Sequence, residues 1–497
     1  MVRQDIGEHL NPTDEITLEA VKSRAVKGVV ALTGRTLVLN IISLFAQGLL
    51  WAFLSPEQFG VFLIVSATIN FLSYFADIGL GAALIQKREK PTEADFKTVF
   101  IVQETLVVTI TLLVFLISPV LARTHNLTYE GIALLYALTI SFFLASLKNI
   151  PSIILERKLE FGKFIIPQVV EQVVYNVAVV FFAWRGFGIT SFTYAVLIRG
   201  VIGVVTIYIL QPWKPGLAFS KASLKGLLRF GIPYQLNNFL ATIKDDGMTI
   251  VLGGVLGSAG LGILGTAQKL AQYPLRFFMD NVTKVTFPAF SRMQDDKTYL
   301  ERSLTRSLFF ICALVFPSLV GLSVLFPVLV TVIPRYGKWA SAYIPFLLIS
   351  INSMFAAGST QLTNLLNSIG RIKTTFKLMV MWTVLTWAIL PFLSIVSGAQ
   401  GAALGYAVVG ASSVVVFYLV KRVVNFSFYY SVVKPLFASG IMGAVLLAAR
   451  GLFSWSFLGI GMMVVIGITF YALVIYLLVG KSAVEDVKKV FATFSRK

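Results

Sequence analysis

The stretch RSLFFICALVFPSLVGLSVLFPVLVT, residues 306–331, decides how this chain folds. Past Arg306 it carries no charge. It is long enough to cross the hydrocarbon core of a bilayer as an α-helix, which takes about 20 apolar residues. Arg292, Lys297, Arg302 and Arg306 crowd its start, whereas Arg335 and Lys338 alone follow its end. Outward from it the same pattern repeats along the chain. The apolar runs are 28–54, 58–85, 96–122, 129–155, 161–185, 187–211, 229–254, 259–286, 306–331, 339–367, 376–397, 400–420, 434–454 and 456–480. A helix satisfies its own backbone hydrogen bonds in lipid. A barrel would instead read as alternating segments of about 10 residues. The expected fold is an all-α integral membrane protein with about 14 transmembrane helices.

The gaps alternate in charge. Every second gap, together with both ends, holds twenty-nine Lys and Arg residues, against five (Arg123, Arg185, Arg335, Lys338 and Arg450) in the others. Basic short loops stay in the cytoplasm, so both termini are expected there and the protein in the cell membrane. The 497 residues are 57% hydrophobic and 13% charged, about half the charged share usual in a soluble domain. A net charge of +19 raises the possibility of a nucleic-acid partner. The basic residues lie in the cytoplasmic gaps, where they orient helices and face the anionic inner leaflet, so nucleic acid is not expected.

Cys312, the only cysteine, falls within an apolar run, which excludes an intrachain disulfide and a cysteine metal site. His9 and His125 both fall in polar segments, so no histidine metal centre is expected in the membrane. The start is polar and acidic, unlike a signal peptide. Asn11-Pro12 with Asp14 and Glu15 predicts a helix cap.

The expected organisation is a cytoplasmic segment 1–27, an N-lobe 28–211, a linker 212–228, a C-lobe 229–420, two further helices in 421–480 and a tail 481–497. The lobes echo each other. Leu54 to Phe62 (LSPEQFGVF) joins the first two runs, and Leu256 to Leu264 (LGSAGLGIL) joins the seventh and eighth, with Leu and Gly at matching spacing. Six runs separate the two turns, so the halves point the same way, a parallel repeat.

Charges deep in a span are costly and are functional candidates by default. They are Arg35, Arg199, Lys244, Lys269 and Arg276, with the acids Glu104, Glu171, Asp245 and Asp246. Several have a plainer reading, although Glu104 has no obvious partner in the sequence. Arg199 can pair with Glu171, Lys244 with its two neighbouring acids, and Arg35 and Arg276 can snorkel to the interface. Asn and Gln within spans can simply hold helices together. Gly253-Gly254 and the glycines of 257–265 lack the Lys and Ser/Thr of a phosphate loop, and read as close packing.

The motifs resemble those of Wzx-type polysaccharide exporters. The resemblance rests on Leu54 to Gly60, Asp77-Ile78-Gly79-Leu80, Ala83 to Gln86, Phe230-Gly231-Ile232-Pro233, Leu256-Gly257 to Gly262, Ala267, Leu270 and Phe287 to Arg292. That family shares a superfamily with multidrug extruders and the lipid II flippase. The resemblance implies two bundles of six helices in a parallel pseudo-repeat around a central cavity, plus two C-terminal helices. It implies a flippase for a lipid-diphosphate-linked oligosaccharide serving cell-surface polysaccharide synthesis, with membrane lipids and other glycan-assembly proteins as partners.

On that reading Arg35, Arg199, Lys244, Lys269 and Arg276 are the cavity cations for the diphosphate. Arg offers bidentate hydrogen bonds and Lys a point charge. Asn70, Asn237, Asn238, Gln361 and Asn364 are candidate sugar contacts. No cofactor is expected. A proton or sodium gradient is a candidate driving force, with Glu171, Asp245 and Asp246 as candidate coupling sites. A cation-coupled antiporter is the main alternative, although such relatives place an acid in the first helix and Arg35 stands here. A membrane polymerase or ligase is the third reading, but the outer gaps are short and hold no acid/base pair.

Overall fold

The computed structural model describes residues 18–480 apart from Asp77, Arg88 and Ser454; within its helices the side chains of residues 18–33, 37, 230, 232–234, 236–238 and 281 are not described. The cap expected at Asn11 to Glu15 lies outside the described residues. All regular structure among the described residues is helical. The chain divides into two compact units, one ending at Ser258 and one starting at Ala259.

The first unit contains α1 (Leu18–Phe53), α2 (Pro56–Ala76), α3 (Leu80–Gln86), α4 (Glu93–Thr124), α5 (Tyr129–Leu147), α6 (Asn149–Arg157), α7 (Phe161–Trp184), α8 (Thr190–Leu210) and α9 (Lys221–Thr242). A π turn, Ile243–Gly247, then leads into α10 (Met248–Arg292), whose first residues complete the unit. The helix starts follow the local sequence. Before α2, the Ser55 N–H donates to Gln58 Oε1 and the Gln58 N–H to Ser55 Oγ, a capping box with Pro56 at the first helical position. Thr92 and Asp95 make the same reciprocal pair at the start of α4.

The run 58–85 is broken. α2 stops at Ala76, and Gly79 takes φ 75°, a left-handed conformation that glycine adopts without penalty, before α3 begins. Arg157 then secures the end of α3. Its Nη1 donates to the carbonyl oxygens of Leu84, Ile85 and Lys87 at 2.7, 3.1 and 2.9 Å, and Nη2 donates to that of Glu89 at 3.1 Å. These are carbonyls that a helix end leaves without intrahelical partners.

The seventh run packs within the first unit. From α9 to the start of α10 it lies along α2. Gly231 meets Ile78 and Gly79, the Tyr74 hydroxyl donates to the Gln235 carbonyl, and Tyr74 stacks on Phe239. Asn70 hydrogen-bonds Asp246. Ile64 faces Gly253, and Gly60 abuts the backbone of Ser258. From α4, His125 Nε2 is 3.1 Å from the Ile250 carbonyl oxygen. This continuous seam runs as far as Ser258, where the first unit ends.

The second unit holds the remainder of α10 with α11 (Lys297–Val332), α12 (Tyr343–Ser368), α13 (Ile372–Ala411), α14 (Val414–Lys421), α15 (Lys434–Ala449) and α16 (Phe457–Val479). α11 contains the whole stretch 306–331 and is the centre of the unit. Its Leu300, Leu304 and Leu308 pack with Leu362, Leu365 and Leu366 of α12 and Val416 and Val420 of α14. Further along, Val324 and Leu325 meet Met442 and Leu446 of α15 and Met463 of α16. The Tyr471 hydroxyl donates to the Ala313 carbonyl at 2.7 Å and ties α16 to α11.

Among the described residues, eleven helical stretches are long and apolar enough to cross a membrane, against fourteen runs read from the sequence. Two of the eleven, Phe239–Asp280 and Ile372–Lys421, each span two runs. At each joint two helices meet across a kink. Gly257 has φ 66° and ψ 175°, and Gly398 has φ 58°. α2, within the second run, falls outside the eleven. Phe45, Leu116 and Ile209 in the first unit and Val285 and Leu477 in the second are more than 70% exposed, as lipid-facing side chains are.

Candidate functional site

The first unit buries a three-membered charge cluster. Glu171, on α7, takes Lys148 Nζ at 2.6 Å on Oε1 and Arg199 Nε at 3.6 Å on Oε2. Glu171 and Lys148 are 9% and 16% exposed by side chain, but Arg199 is 43% exposed. The Arg199 guanidinium also sits 5.6 Å from the centre of the Tyr175 ring. Gly203 on α8 makes room for the carboxylate; a Cβ there would overlap Glu171. The pairing of Arg199 with Glu171 is thus present. Lys148 is a member that the sequence reading missed. It stands between α5 and α6, where Pro151 prevents the helix from continuing unbroken, and a lone Lys three residues before a Pro inside an apolar run was the available signal. Nearby, Gln172 Nε2 and Asn176 Nδ2 both reach Ser43 Oγ of α1, at 3.2 and 3.4 Å.

The Lys244, Asp245 and Asp246 cluster occupies the π turn Ile243–Gly247. π turns are rare and frequently mark functional positions. Lys244 Nζ is 3.1 Å from Asp245 Oδ1, so these two neutralise each other. Asp246 turns to Asn70 on α2. Asn70 is therefore placed beside a charge and is exposed. The side chains of Asn237 and Asn238 lie outside the described residues, as does Asp77.

Arg35 lies on α1, half-buried, and its Nε is buried without a hydrogen-bond partner among the described residues. Lys269 and Arg276 are both on α10 in the second unit, the first half-buried and the second exposed. Gln361 and Asn364 are buried on α12. Gln361 Nε2 donates to Thr286 Oγ1 at 2.9 Å and Ser307 Oγ at 3.1 Å, and Asn364 Nδ2 to Thr286 Oγ1 at 3.2 Å. Their amide N–H groups join α10, α11 and α12, the plainer of the two readings for intramembrane amides.

Two cavities lie within the units. One of about 490 Å³ is lined by Gln86, Lys87, Glu89, Asp95 and Ser223 at the starts of α4 and α9. The other, about 340 Å³ in the second unit, is apolar, with Cys312, Phe316, Phe355, Phe417 and Phe428 in its walls. Neither is lined by the candidate binding residues. No group of His, Cys, Asp and Glu able to hold a metal occurs among the described residues.

Polytopic helices, intramembrane charge clusters and amides that join helices define a membrane protein of the transporter type. The family of polysaccharide biosynthesis proteins matches residues 49–344, and the chain belongs to that family. It is 23% identical over 407 residues to the lipopolysaccharide biosynthesis protein WzxC of Escherichia coli (strain K12), covering 81% of this chain and 80% of that one. It is also 23% identical over 269 residues to the succinoglycan biosynthesis transport protein ExoT of Rhizobium meliloti (strain 1021), 54% of each chain. Among solved structures, the lipid II flippase MurJ in an inward closed conformation superposes with a TM-score of 0.75 at 17% identity, over 90% of this chain and 98% of that one. An inward-facing multidrug MATE transporter of the MOP superfamily superposes with a TM-score of 0.59 at 17% identity, over 80% and 97%. The fold is that of the MOP superfamily.

Proposed function

We propose that this protein is a flippase that carries a lipid-diphosphate-linked oligosaccharide from the inner to the outer leaflet of the cell membrane for cell-surface polysaccharide synthesis. The chain spans the membrane fourteen times with both termini in the cytoplasm. Helices one to six and seven to twelve form two parallel halves around a central cavity, and two C-terminal helices stand outside them. The seam of the seventh helix along α2 holds one state of the alternating-access cycle and releases in the other.

The observation that carries the reading is the cluster of Lys148 and Arg199 on the buried Glu171 in a member of the polysaccharide biosynthesis family. Two cations share one carboxylate, so one positive charge is left over. Arg199 is its exposed end. A positive charge walled by low dielectric attracts a diphosphate. Arg35, with a buried Nε that has no hydrogen-bond partner among the described residues, is the second contact, and Lys269 and Arg276 are further cations for the diphosphate. Asn70, Asn237 and Asn238 contact sugar hydroxyls.

The test is deletion in the native host followed by extraction of lipid-linked intermediates. Completed units should accumulate on the cytoplasmic side, and Arg35→Ala should fail to clear them. Units reaching the outer face but remaining unpolymerised would identify an enzyme instead. A rise in drug sensitivity without a glycan defect would identify an antiporter of small amphipathic molecules.

A further inference from the structure

Glu104, on α4, stands apart from the charges described above. Its Oε2 is 3.0 Å from Ser146 Oγ, and its Oε1 is buried without a hydrogen-bond partner among the described residues. The Ser146 hydroxyl is also 2.7 Å from the Phe143 carbonyl oxygen. A serine hydroxyl has one proton to donate. The carbonyl of Phe143 can only accept, and it makes the shorter contact, so the serine proton goes there. The remaining contact, between Glu104 Oε2 and Ser146 Oγ, then needs a proton from the carboxyl group. A carboxylic acid also accounts for Oε1, since an unpartnered neutral carbonyl oxygen is far cheaper to bury than an unpartnered carboxylate oxygen.

We infer that Glu104 is a proton-carrying site: it is held as a carboxylic acid in this state, donating through Ser146 to the Phe143 carbonyl, and its proton sets the charge of the neighbouring cluster. Ser146 is two residues from Lys148. With Glu104 neutral, Lys148, Arg199 and Glu171 carry a net charge of one positive; when Glu104 releases its proton to water, the four groups carry none. Proton binding and diphosphate binding therefore favour each other, and headgroup affinity falls as pH rises through the titration of Glu104. For a headgroup about 10 Å away at an effective dielectric of about 20, one unit charge is worth roughly tenfold in affinity. The proton-binding part stands on geometry alone, whereas the coupling part rests on the proposed flippase function.

Other ionisable groups stand on the elements packed against α4. Tyr129 and Glu130 open α5, the Tyr136 hydroxyl is 2.9 Å from Ser118 Oγ, and Tyr74 of α2 donates to the Gln235 carbonyl. Lys87, after α3, pairs with Asp95 at 2.7 Å, and Lys148 pairs with Glu171. Tyr208 of α8 lies within electrostatic reach of Glu104 and hydrogen-bonds the Leu147 carbonyl at 3.1 Å. Glu57 opens α2, and Lys221, Lys225 and Arg229 belong to the first turns of α9. Glu104 itself lies eleven residues into α4, about 16 Å along its axis from the end of the helix where Glu93, Asp95 and Lys97 cluster.

Infrared difference spectroscopy on the purified full-length protein tests this without substrate. Wild type at neutral pH should show a carboxylic acid C=O stretch that is missing from Glu104→Gln, and Ser146→Ala should move that band because the acid loses its acceptor. If the bands lost from Glu104→Gln are those of a carboxylate, the proton site is refuted. In everted membrane vesicles, uptake of a lipid-linked oligosaccharide should depend on pH in wild type and become pH-independent in Glu104→Gln. Loss of the acid band with an unchanged pH profile would refute coupling. Failure of wild-type vesicles to transport the lipid would refute the flippase reading and leave the infrared result standing.

Discussion

Gly79 and Gly231 lie backbone against backbone. A Cβ added to Gly231 would come within 2.6 Å of the Ile78 carbonyl oxygen, and one added to Gly79 would overlap the Gly231 carbonyl. The two glycines belong to separate motifs, Asp77-Ile78-Gly79-Leu80 and Phe230-Gly231-Ile232-Pro233, that were noted far apart in the sequence. Here they form one joint at one end of the α2 seam, and Gly60 against Ser258 forms the joint at the other end.

Gly231→Ala should therefore open that joint. The methyl group meets backbone, which cannot rotate away, and overpacking of this kind costs about 1–3 kcal/mol. Transport should fall sharply while membrane abundance stays near normal. In a Cys312→Ser background, a single cysteine placed at Gln235 should react faster with a membrane-impermeant maleimide in Gly231→Ala than in the parent. Equal labelling rates would show that the contact does not hold the seam closed.

Arg35→Ala should abolish export with little change in thermal stability, because the residue has a buried nitrogen without a hydrogen-bond partner to lose. Arg35→Lys should recover only part of the activity, since an ammonium cannot reproduce a planar two-nitrogen contact. Export is read from surface polysaccharide and stability from melting in detergent. A large drop in melting temperature would assign Arg35 to structure instead.

Glu171→Gln should be the most damaging single change in the first unit. It leaves Lys148 buried beside a neutral amide, and breaking a buried pair costs about 3–5 kcal/mol. The contribution of Arg199 is smaller because that side chain is 43% exposed and screened. Lys148→Met combined with Glu171→Gln should restore much of the lost stability, giving a coupling energy measurable in a double-mutant cycle. Additive losses would show that the two residues are not energetically paired.

Gln361→Leu should behave in the opposite way to Arg35→Ala. It removes hydrogen bonds to Thr286 and Ser307 that hold three helices together, so abundance and melting temperature should fall by an amount consistent with about 1–3 kcal/mol. Transport per surviving molecule should be preserved. Reduced transport at normal abundance would place Gln361 at the substrate.

Topology has its own check. Reporter fusions after Lys225 and after Arg123 should report opposite sides of the membrane. The same side for both would break the fourteen-span arrangement.

Helix location was legible because apolar runs of spanning length announce themselves, and 306–331 became most of α11. The joints were less so. Gly257 in α10, and Ser397 with Gly398 in α13, leave helical conformation where two helices meet, and Gly79 splits a run that composition shows as continuous. The Arg199 to Glu171 pairing was readable as two opposite charges in adjacent runs. Lys148 was not, since its partnership depends on the rotation of α5 and α6 about their axes. A helix that is apolar all round gives no stripe from which to read that rotation. For the same reason the amides of Gln361 and Asn364 could be found in the sequence but not assigned to a neighbour.

The π turn at Ile243–Gly247 has a consequence for register. Such a turn holds one residue more than the α turn it replaces. Deleting a single residue there would heal the helix into uniform α form. Every residue beyond it would then rotate by about 100° and slide about 1.5 Å relative to α9. Gly253 would leave Ile64 and Ser258 would leave Gly60. The extra residue thus sets the phase of the whole second portion of the seventh helix, so the number of residues between Gly231 and Ser258 is fixed by the seam along α2.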